Sequence, residues 1–256
     1  VYKVYFVGCG PGDPDLITVK AKKLLSKADI VVYSGSLIPQ QILKICKKAK
    51  LHDASGLVRE EIFEILKNNA QKNKLVIRLH DGDPAIYGAI REQTDSLQKK
   101  GIICEIVPGV TSFLASSAAL GLQLTLPGIT QTIIITRAEK RTKVPARERI
   151  SELSKHKSTM IFYLSVHLLS DIVKEAIKGG YLKSTPAAVV YKASWPDQKI
   201  ITGTLEDIVK KVWAEKITRT AIVLIGDVIQ PKSYEFSKLY DKTFSHGYRK
   251  AKKNLQ

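Results

Sequence analysis

The chain is short of acid and of cysteine, and it has no long apolar run. Its 24 Asp and Glu stand against 41 Lys and Arg, a formal net charge of +17. Such an excess favours solubility and attracts polyanions without choosing among them. No zinc-finger spacing or aromatic-basic platform accompanies it, so nucleic acid is disfavoured as a partner. A small polycarboxylate or phosphate explains the charge equally well. The three cysteines, Cys9, Cys46 and Cys104, are too few and too scattered for a disulfide framework, which points to a reducing, cytoplasmic setting. No His, Cys or Asp group has metal-ligand spacing, so no metal site is expected. Residues Ile106 to Thr136 contain no charged side chain. Pro108-Gly109 and Pro127-Gly128 break that stretch, and no run of about 20 apolar residues survives to span a membrane. It reads instead as a buried wall facing a ligand or a subunit partner. The opening Val1-Tyr2-Lys3-Val4-Tyr5-Phe6-Val7-Gly8 reads as a strand rather than a signal peptide.

What is present is an alternation of strands and helices. With 256 residues, 44% of them hydrophobic, the chain can build one large or two ordinary domains. The organising stretch runs from Leu79 to Arg91. It follows Leu75-Val76-Ile77, a short apolar run that reads as a buried parallel strand. Gly82 turns the chain; Asp83 and Pro84 suit the cap and first turn of a helix that continues to about Lys100. The first strand likewise ends in a glycine turn, Gly8-Cys9-Gly10-Pro11-Gly12-Asp13, before a helix from about Thr18 to Ser26. The dinucleotide fingerprint fits poorly there: Asp29 precedes its strand rather than following it, and Pro11 removes an N–H that a pyrophosphate would use. A third strand, Ile102 to Val107, ends in Pro108-Gly109-Val110-Thr111-Ser112. Three polar turns at strand ends imply one cleft at one edge of a parallel sheet.

A helix from about Val58 to Asn73 carries a core-facing stripe at Ile62, Ile65, Leu66 and Ala70. Residues 122–229 repeat the α/β pattern, with strands at Thr132–Thr136, Thr159–Leu164, Ala187–Tyr191, Ile200–Ile201 and Ala221–Ile225. The expected division is an α/β domain over 1–121, a second over 122–229, and a basic, mobile tail over 230–256.

The glycine turns, Gly82-Asp83-Pro84, Pro108-Gly109-Val110-Thr111-Ser112 and the two-domain pattern resemble the tetrapyrrole methylases over about residues 3 to 229. Within that family, three stretches are similar to the branch that methylates C-11 of precorrin-4 or cobalt-precorrin-4. They are Tyr33 to Pro39, Gly82 to Gln93 and Ile135 to Thr142. The resemblance implies a two-domain α/β fold with the active-site cleft between the domains. It also implies a homodimer, S-adenosyl-L-methionine as donor (S-adenosyl-L-homocysteine as product), and an anionic tetrapyrrole of corrin synthesis as acceptor. The family's cofactor positions fall on Pro11, Asp81, Gly82, Asp83, Ile86, Thr111, Ser112, Leu164, Ala193, Thr220 and Ala221. Asp81, Lys140, Tyr163-Leu164 and Lys192-Ala193 depart from the residues usual in the family.

Transfer of a methyl from a sulfonium to a ring carbon needs alignment and exclusion of water rather than a covalent enzyme intermediate. Backbone groups at Gly82–Asp83 and the hydroxyls of Thr111 and Ser112 are expected to hold the donor's polar ends. Arg59, Arg137, Lys140 and Arg141 suit a polycarboxylate acceptor. A base for any proton the macrocycle sheds is sought among Asp13, His80 and Asp81, and helix-cap or strand-end roles compete for the first two. The alternatives are methylation at another precorrin carbon or of diphthine and, from another class, a nucleotide- or RNA-binding module.

Overall fold

The computed structural model describes residues 1–140 and 142–251. In its first half, strands β1 (Lys3–Gly8), β2 (Ile30–Tyr33), β3 (Lys50–Asp53), β4 (Val76–His80) and β5 (Ile103–Val107) lie in the order β3-β2-β4-β1-β5. Their pairings are parallel. Parallel neighbours need crossovers, and α1 (Val19–Leu25), α2 (Gln40–Leu43), α3 (Arg59–Ala70) and α4 (Ile90–Gln98) lie in those connections. A fifth helix, α5 (Ser112–Ala119), follows β5.

Alternation along the strands builds two cores. Val7, Val31, Ile77 and Leu79 pack with Ala21, Leu25, Ile42 and Leu43 on one side. Val4, Phe6, Val32 and Val76 pack with Leu66 and Ala70 of α3 and Leu97 of α4 on the other. Each fully buried Leu or Ile among these contributes about 1.5–3 kcal/mol. The period of two puts Arg78 and His80 on the same face as Val76.

The second sheet is mixed. Strands β6 (Ile133–Arg137), β7 (Thr159–Tyr163), β8 (Pro186–Tyr191), β9 (Lys199–Thr204) and β10 (Ala221–Ile225) lie in the order β6-β7-β10-β8-β9. β6 runs parallel to β7, and β10 antiparallel to it. Helices α6 (Ile150–Leu153), α7 (Leu169–Lys178) and α8 (Ile208–Ala214) accompany them. By contact the chain divides into two units. The first holds Val1–Leu120, Val190–Ile200 and Thr220–Ile222; the second holds the remaining described residues. The segment 190–200, expected with the second half, groups with the first.

Three readings of the sequence need correction. Strand β3 escaped notice because Lys50-Leu51-His52-Asp53 is an edge strand with three of its four residues exposed. The organising strand begins at Val76 rather than Leu75 and runs through the charged Arg78 to His80. Finally, no helix starts at Asp83. Residues 84–87 form a turn, Tyr87 and Ala89 take left-handed φ values of 57° and 48°, and α4 begins only at Ile90.

The described part of the C-terminal segment carries hydrogen-bonded turns. Glu235 N–H donates to Pro127 O at 3.0 Å, and the Arg249 guanidinium donates to the carbonyls of Leu239, Tyr240, Asp241 and Phe244. The last basic residues, Lys252 and Lys253, lie outside the described residues. Among the described residues no helix is long and apolar enough to cross a membrane. None of their His, Cys, Asp and Glu gather into a group that could hold a metal ion.

Candidate active site

Because β4, β1 and β5 are parallel neighbours, their carboxyl ends place three glycine turns side by side. Gly10 and Gly82 form a two-way backbone bridge, with N–H···O distances of 3.2 and 2.8 Å. Gly8 and Gly109 close in from either side of that bridge. A methyl group at Gly8 would sit 2.5 Å from the Gly82 carbonyl oxygen, and one at Gly109 only 2.1 Å from it. No side chain fits at either position. Gly82 is glycine for another reason: its φ is +55°, while the space beside it is open to 3.7 Å.

Asp83 ties two of these turns together. One carboxylate oxygen accepts from Ala85 N–H at 2.8 Å and the other from Gly109 N–H at 2.9 Å. Its role is therefore a bridge between strand ends, not a helix cap. The bridge also revises what the turn can offer a ligand. The Gly82 N–H and C=O are both engaged by Gly10, so this glycine offers a ligand neither hydrogen bond. Thr111 is the N-cap residue of α5, but its side chain makes no capping bond.

The three candidates for a base separate clearly. Asp13 accepts from Asp15 N–H at 2.9 Å, capping a short turn, and its own N–H donates to Ser194 Oγ at 3.0 Å. His80 is 4% exposed and stacks on Phe6, with ring centroids 6.0 Å apart. Burial, and secondly the Arg78 charge, push its imidazole down to about 3, so it stays neutral. Asp81 is exposed, and no other described residue hydrogen-bonds its carboxylate. It nevertheless stands among enough protein atoms to lose part of its hydration, which raises its carboxyl above 3.8; its own backbone N–H and the Arg78 charge oppose the rise.

The segment after β8 braces the first glycine turn. Trp195 Nε1–H donates to Pro11 O at 2.9 Å, and its ring covers Gly12, where a methyl group would lie 2.1 Å from the indole. The Pro11 carbonyl is thus occupied by protein. Ala193, 6% exposed, sits between two left-handed residues, Lys192 (φ 46°) and Ser194 (φ 69°). Lys192 N–H donates to Thr220 O at 2.9 Å, and Thr220, just before Ala221 and β10, is left-handed at 54°. Leu164, immediately after β7, is left-handed at 55° and 65% exposed. Strained non-glycine residues of this kind gather at functional sites, where surrounding structure holds them. Five of the cofactor positions implied by the family pattern, Ile86 beside Tyr87 among them, are therefore strained themselves or adjoin strained residues. Ile86 lies half-buried in the turn after Asp83.

The cationic candidates are dispersed. Arg59, the first residue of α3, pairs with Glu60 at 2.9 Å and Glu92 at 3.7 Å. Arg137, ending β6, donates to the carbonyls of Ala138, Thr142 and Lys143. Lys140 is exposed, and Arg141 lies outside the described residues. The sequence reading passed over Arg78, Gln93 and Trp195. For Arg78 a signal existed: a charge inside a strand that must be buried on both faces.

A parallel sheet whose adjacent strand ends are packed glycine turns defines an α/β fold built to receive a small molecule at its carboxyl edge. The family model for Tetrapyrrole (Corrin/Porphyrin) Methylases matches residues 3–209, and the chain belongs to that family. It is 50% identical over 254 residues to the cobalt-precorrin-4 C(11)-methyltransferase of Methanocaldococcus jannaschii, covering 99% of this chain and 98% of that protein. It also resembles the solved structure of a cobalamin biosynthetic enzyme, the cobalt-precorrin-4 methyltransferase CbiF. There the TM-score is 0.88 at 44% identity, over 90% of this chain and 97% of the other. A uroporphyrin-III C-methyltransferase from Thermus thermophilus, solved with S-adenosyl homocysteine, matches with a TM-score of 0.74 at 30% identity, over 89% and 93% of the two chains.

Proposed function

We propose that this chain is a C-methyltransferase of corrin synthesis that moves a methyl from S-adenosyl-L-methionine to C-11 of precorrin-4 or cobalt-precorrin-4. The observation that carries the reading is 50% identity to a C-11 methyltransferase along nearly the whole of both chains. The glycine edge supports it, because turns without side chains at the ends of β1, β4 and β5 let a folded donor lie close to the backbone of those strand ends. Gly82, Asp83 and Ser112 border that edge in the first unit. S-adenosyl-L-methionine, when bound, supplies an electrophilic methyl group on a positively charged sulfur.

The protein's part is alignment, exclusion of water and management of charge. As the new carbon–carbon bond forms and the carbon–sulfur bond breaks, positive charge passes to the macrocycle, which then sheds a proton. Asp81 is the residue we assign to accept it. Its carboxylate is exposed at the mouth of the Gly82 turn and has no hydrogen-bond partner among the described residues, whereas Asp13 is tied into a cap and His80 is enclosed. An excess of 17 positive charges suits an acceptor carrying many carboxylates. Self-association is supported by β5, an edge strand whose Ile103 and Ile106, with Leu114 of α5, are about half exposed. We place the enzyme in the cytoplasm as a homodimer.

The deciding experiment is incubation with cobalt-precorrin-4 and donor bearing a carbon-13 methyl, followed by mass and NMR assignment. One new methyl on C-11 and one equivalent of S-adenosyl-L-homocysteine are expected. Transfer to another carbon, or none from either form of precorrin-4, refutes the assignment. In the same assay Asp81→Asn should lower kcat while leaving S-adenosyl-L-homocysteine affinity, by calorimetry, within about twofold of wild type.

A further inference from the structure

A buried cation is ordinarily paired or holds a ligand, because an ion stripped of water without a counter-charge is costly. Arg78 departs from that rule. It is 6% exposed, yet forms no ion pair among the described residues. Its Nη1 donates to Val32 O at 3.2 Å and Leu79 O at 3.4 Å, and its Nε to Gln93 Oε1 at 3.4 Å. Those bonds orient the guanidinium through neutral oxygens, and the Asp81 carboxylate favours its charge without hydrogen-bonding it. Gln93 is itself fixed, its Nε2 donating to the carbonyl of strained Ala89 at 3.0 Å. The Nη2 group has no protein partner among the described residues.

A second donor stands beside it without an acceptor. His80 follows two residues later on the same face of β4, and its Nε2 is enclosed with no hydrogen-bond partner. A neutral imidazole with its proton on Nε2 donates there. So at the carboxyl end of one strand, next to Asp81 and the Gly82 turn, an enclosed imidazole nitrogen lacks an acceptor and a buried guanidinium hydrogen-bonds only neutral oxygens. The surface arginine Arg59 offers a contrast, since Glu60 and Glu92 already satisfy it.

We propose that Arg78 is a carboxylate anchor of the methyl-transfer site, with His80 Nε2 as its neighbouring donor. The inference rests on the methyltransferase reading and goes beyond it by naming a recognition residue. The ligand chemistry is a carboxylate, which has two sources: a side chain of the tetrapyrrole or the amino-acid end of the donor. A planar fork with two hydrogens to present binds a carboxylate in a way that a lysine ammonium does not reproduce.

The test compares Arg78→Met and Arg78→Lys with wild type. It uses acceptor KM and kcat with cobalt-precorrin-4, calorimetric affinity for S-adenosyl-L-homocysteine, and thermal melting. Arg78→Met should raise acceptor KM at least tenfold with donor-product affinity within twofold, and Arg78→Lys should recover part of the loss. If the affinity for S-adenosyl-L-homocysteine falls tenfold instead, the carboxylate is the donor's and the anchor stands. A folded Arg78→Met with a lower melting temperature but wild-type KM and affinity overturns the proposal, leaving Arg78 a brace between β2 and β4. Should Arg78→Met not fold, Arg78→Lys decides alone: a rise in KM or loss of affinity sustains the anchor, and wild-type values overturn it. A wild-type protein that neither binds S-adenosyl-L-homocysteine nor transfers a methyl refutes the enzyme assignment itself, a result distinct from normal wild-type activity with unaltered variants.

Discussion

The two sheets differ in what carries the turns around their strands, although Tyr87 and Ala89 beyond β4 and Gly226 after β10 cross the divide. At the carboxyl edge of the first, Gly8, Gly82 and Gly109 carry the tight turns, and backbone packs directly on backbone. Around the second, the left-handed conformations fall on Leu164, Lys192, Ser194 and Thr220, residues that pay a steric penalty for them. The contrast teaches that the first edge is shaped by what must be missing and the second by side chains kept in spite of strain. Glycine lets three strand ends pack backbone to backbone; a strained side chain implies that something beyond local stability selects it.

The sharpest attempt to break this contrast is Gly109→Ala. The added methyl lies 2.1 Å from the Gly82 carbonyl oxygen, a backbone atom that cannot rotate aside. Overpacking of this severity costs roughly 3 kcal/mol or more. Denaturant unfolding should show that loss, and calorimetry should show no measurable binding of S-adenosyl-L-homocysteine. A variant of normal stability and affinity would mean that the three turns are not locked together.

Acid should separate the two regions less violently. His80, buried beside the first edge and held neutral, has a folded pKa near 3 against 6.5 in the unfolded chain. Below pH 6.5 the unfolded state takes up a proton that the folded state refuses. Its contribution to stability is therefore intact above that value and declines as pH falls toward 3. Between pH 7 and pH 5.5 the loss is about 1 kcal/mol. His80→Gln should not show that increment when unfolding is compared at the two pH values. Hydrogen exchange should show the loss in β1 and β4 before β7 and β10. Equal slopes for wild type and variant would remove His80 as the cause.

The same contrast explains what could be seen beforehand. Gly8, Gly82 and Gly109 stand at or just after apolar strand runs, so the parallel sheet and its glycine turns were legible from residue type and spacing. Asp83 was found, but its role was misread, because a carboxylate before proline looks the same whether it caps a helix or bridges to Gly109. Arg78 was hidden by its neighbours: Leu75-Val76-Ile77 announced the strand and drew attention away from the charge that follows. Nothing in Leu164 or Lys192 advertises a left-handed backbone, since their strain comes from tertiary packing. The Trp195–Pro11 brace joins positions 184 residues apart, a pairing that no local pattern encodes.

The finest test of the contrast is Leu164→Gly, where the effect on stability should be smallest. Glycine relieves a left-handed conformation that costs a non-glycine residue about 1–2 kcal/mol. Against that stands the extra backbone freedom glycine loses on folding, about 0.5–1 kcal/mol. Little packing is forfeited, because the side chain is 65% exposed. The opposing effects leave the variant within about 1 kcal/mol of wild type, whereas Gly109→Ala is crippling. If the side chain is kept for the ligand, S-adenosyl-L-homocysteine should bind several-fold more weakly to a protein that melts normally. A fall in stability well beyond that margin, with unchanged affinity, would make Leu164 an ordinary packing residue and dissolve the distinction between the two edges.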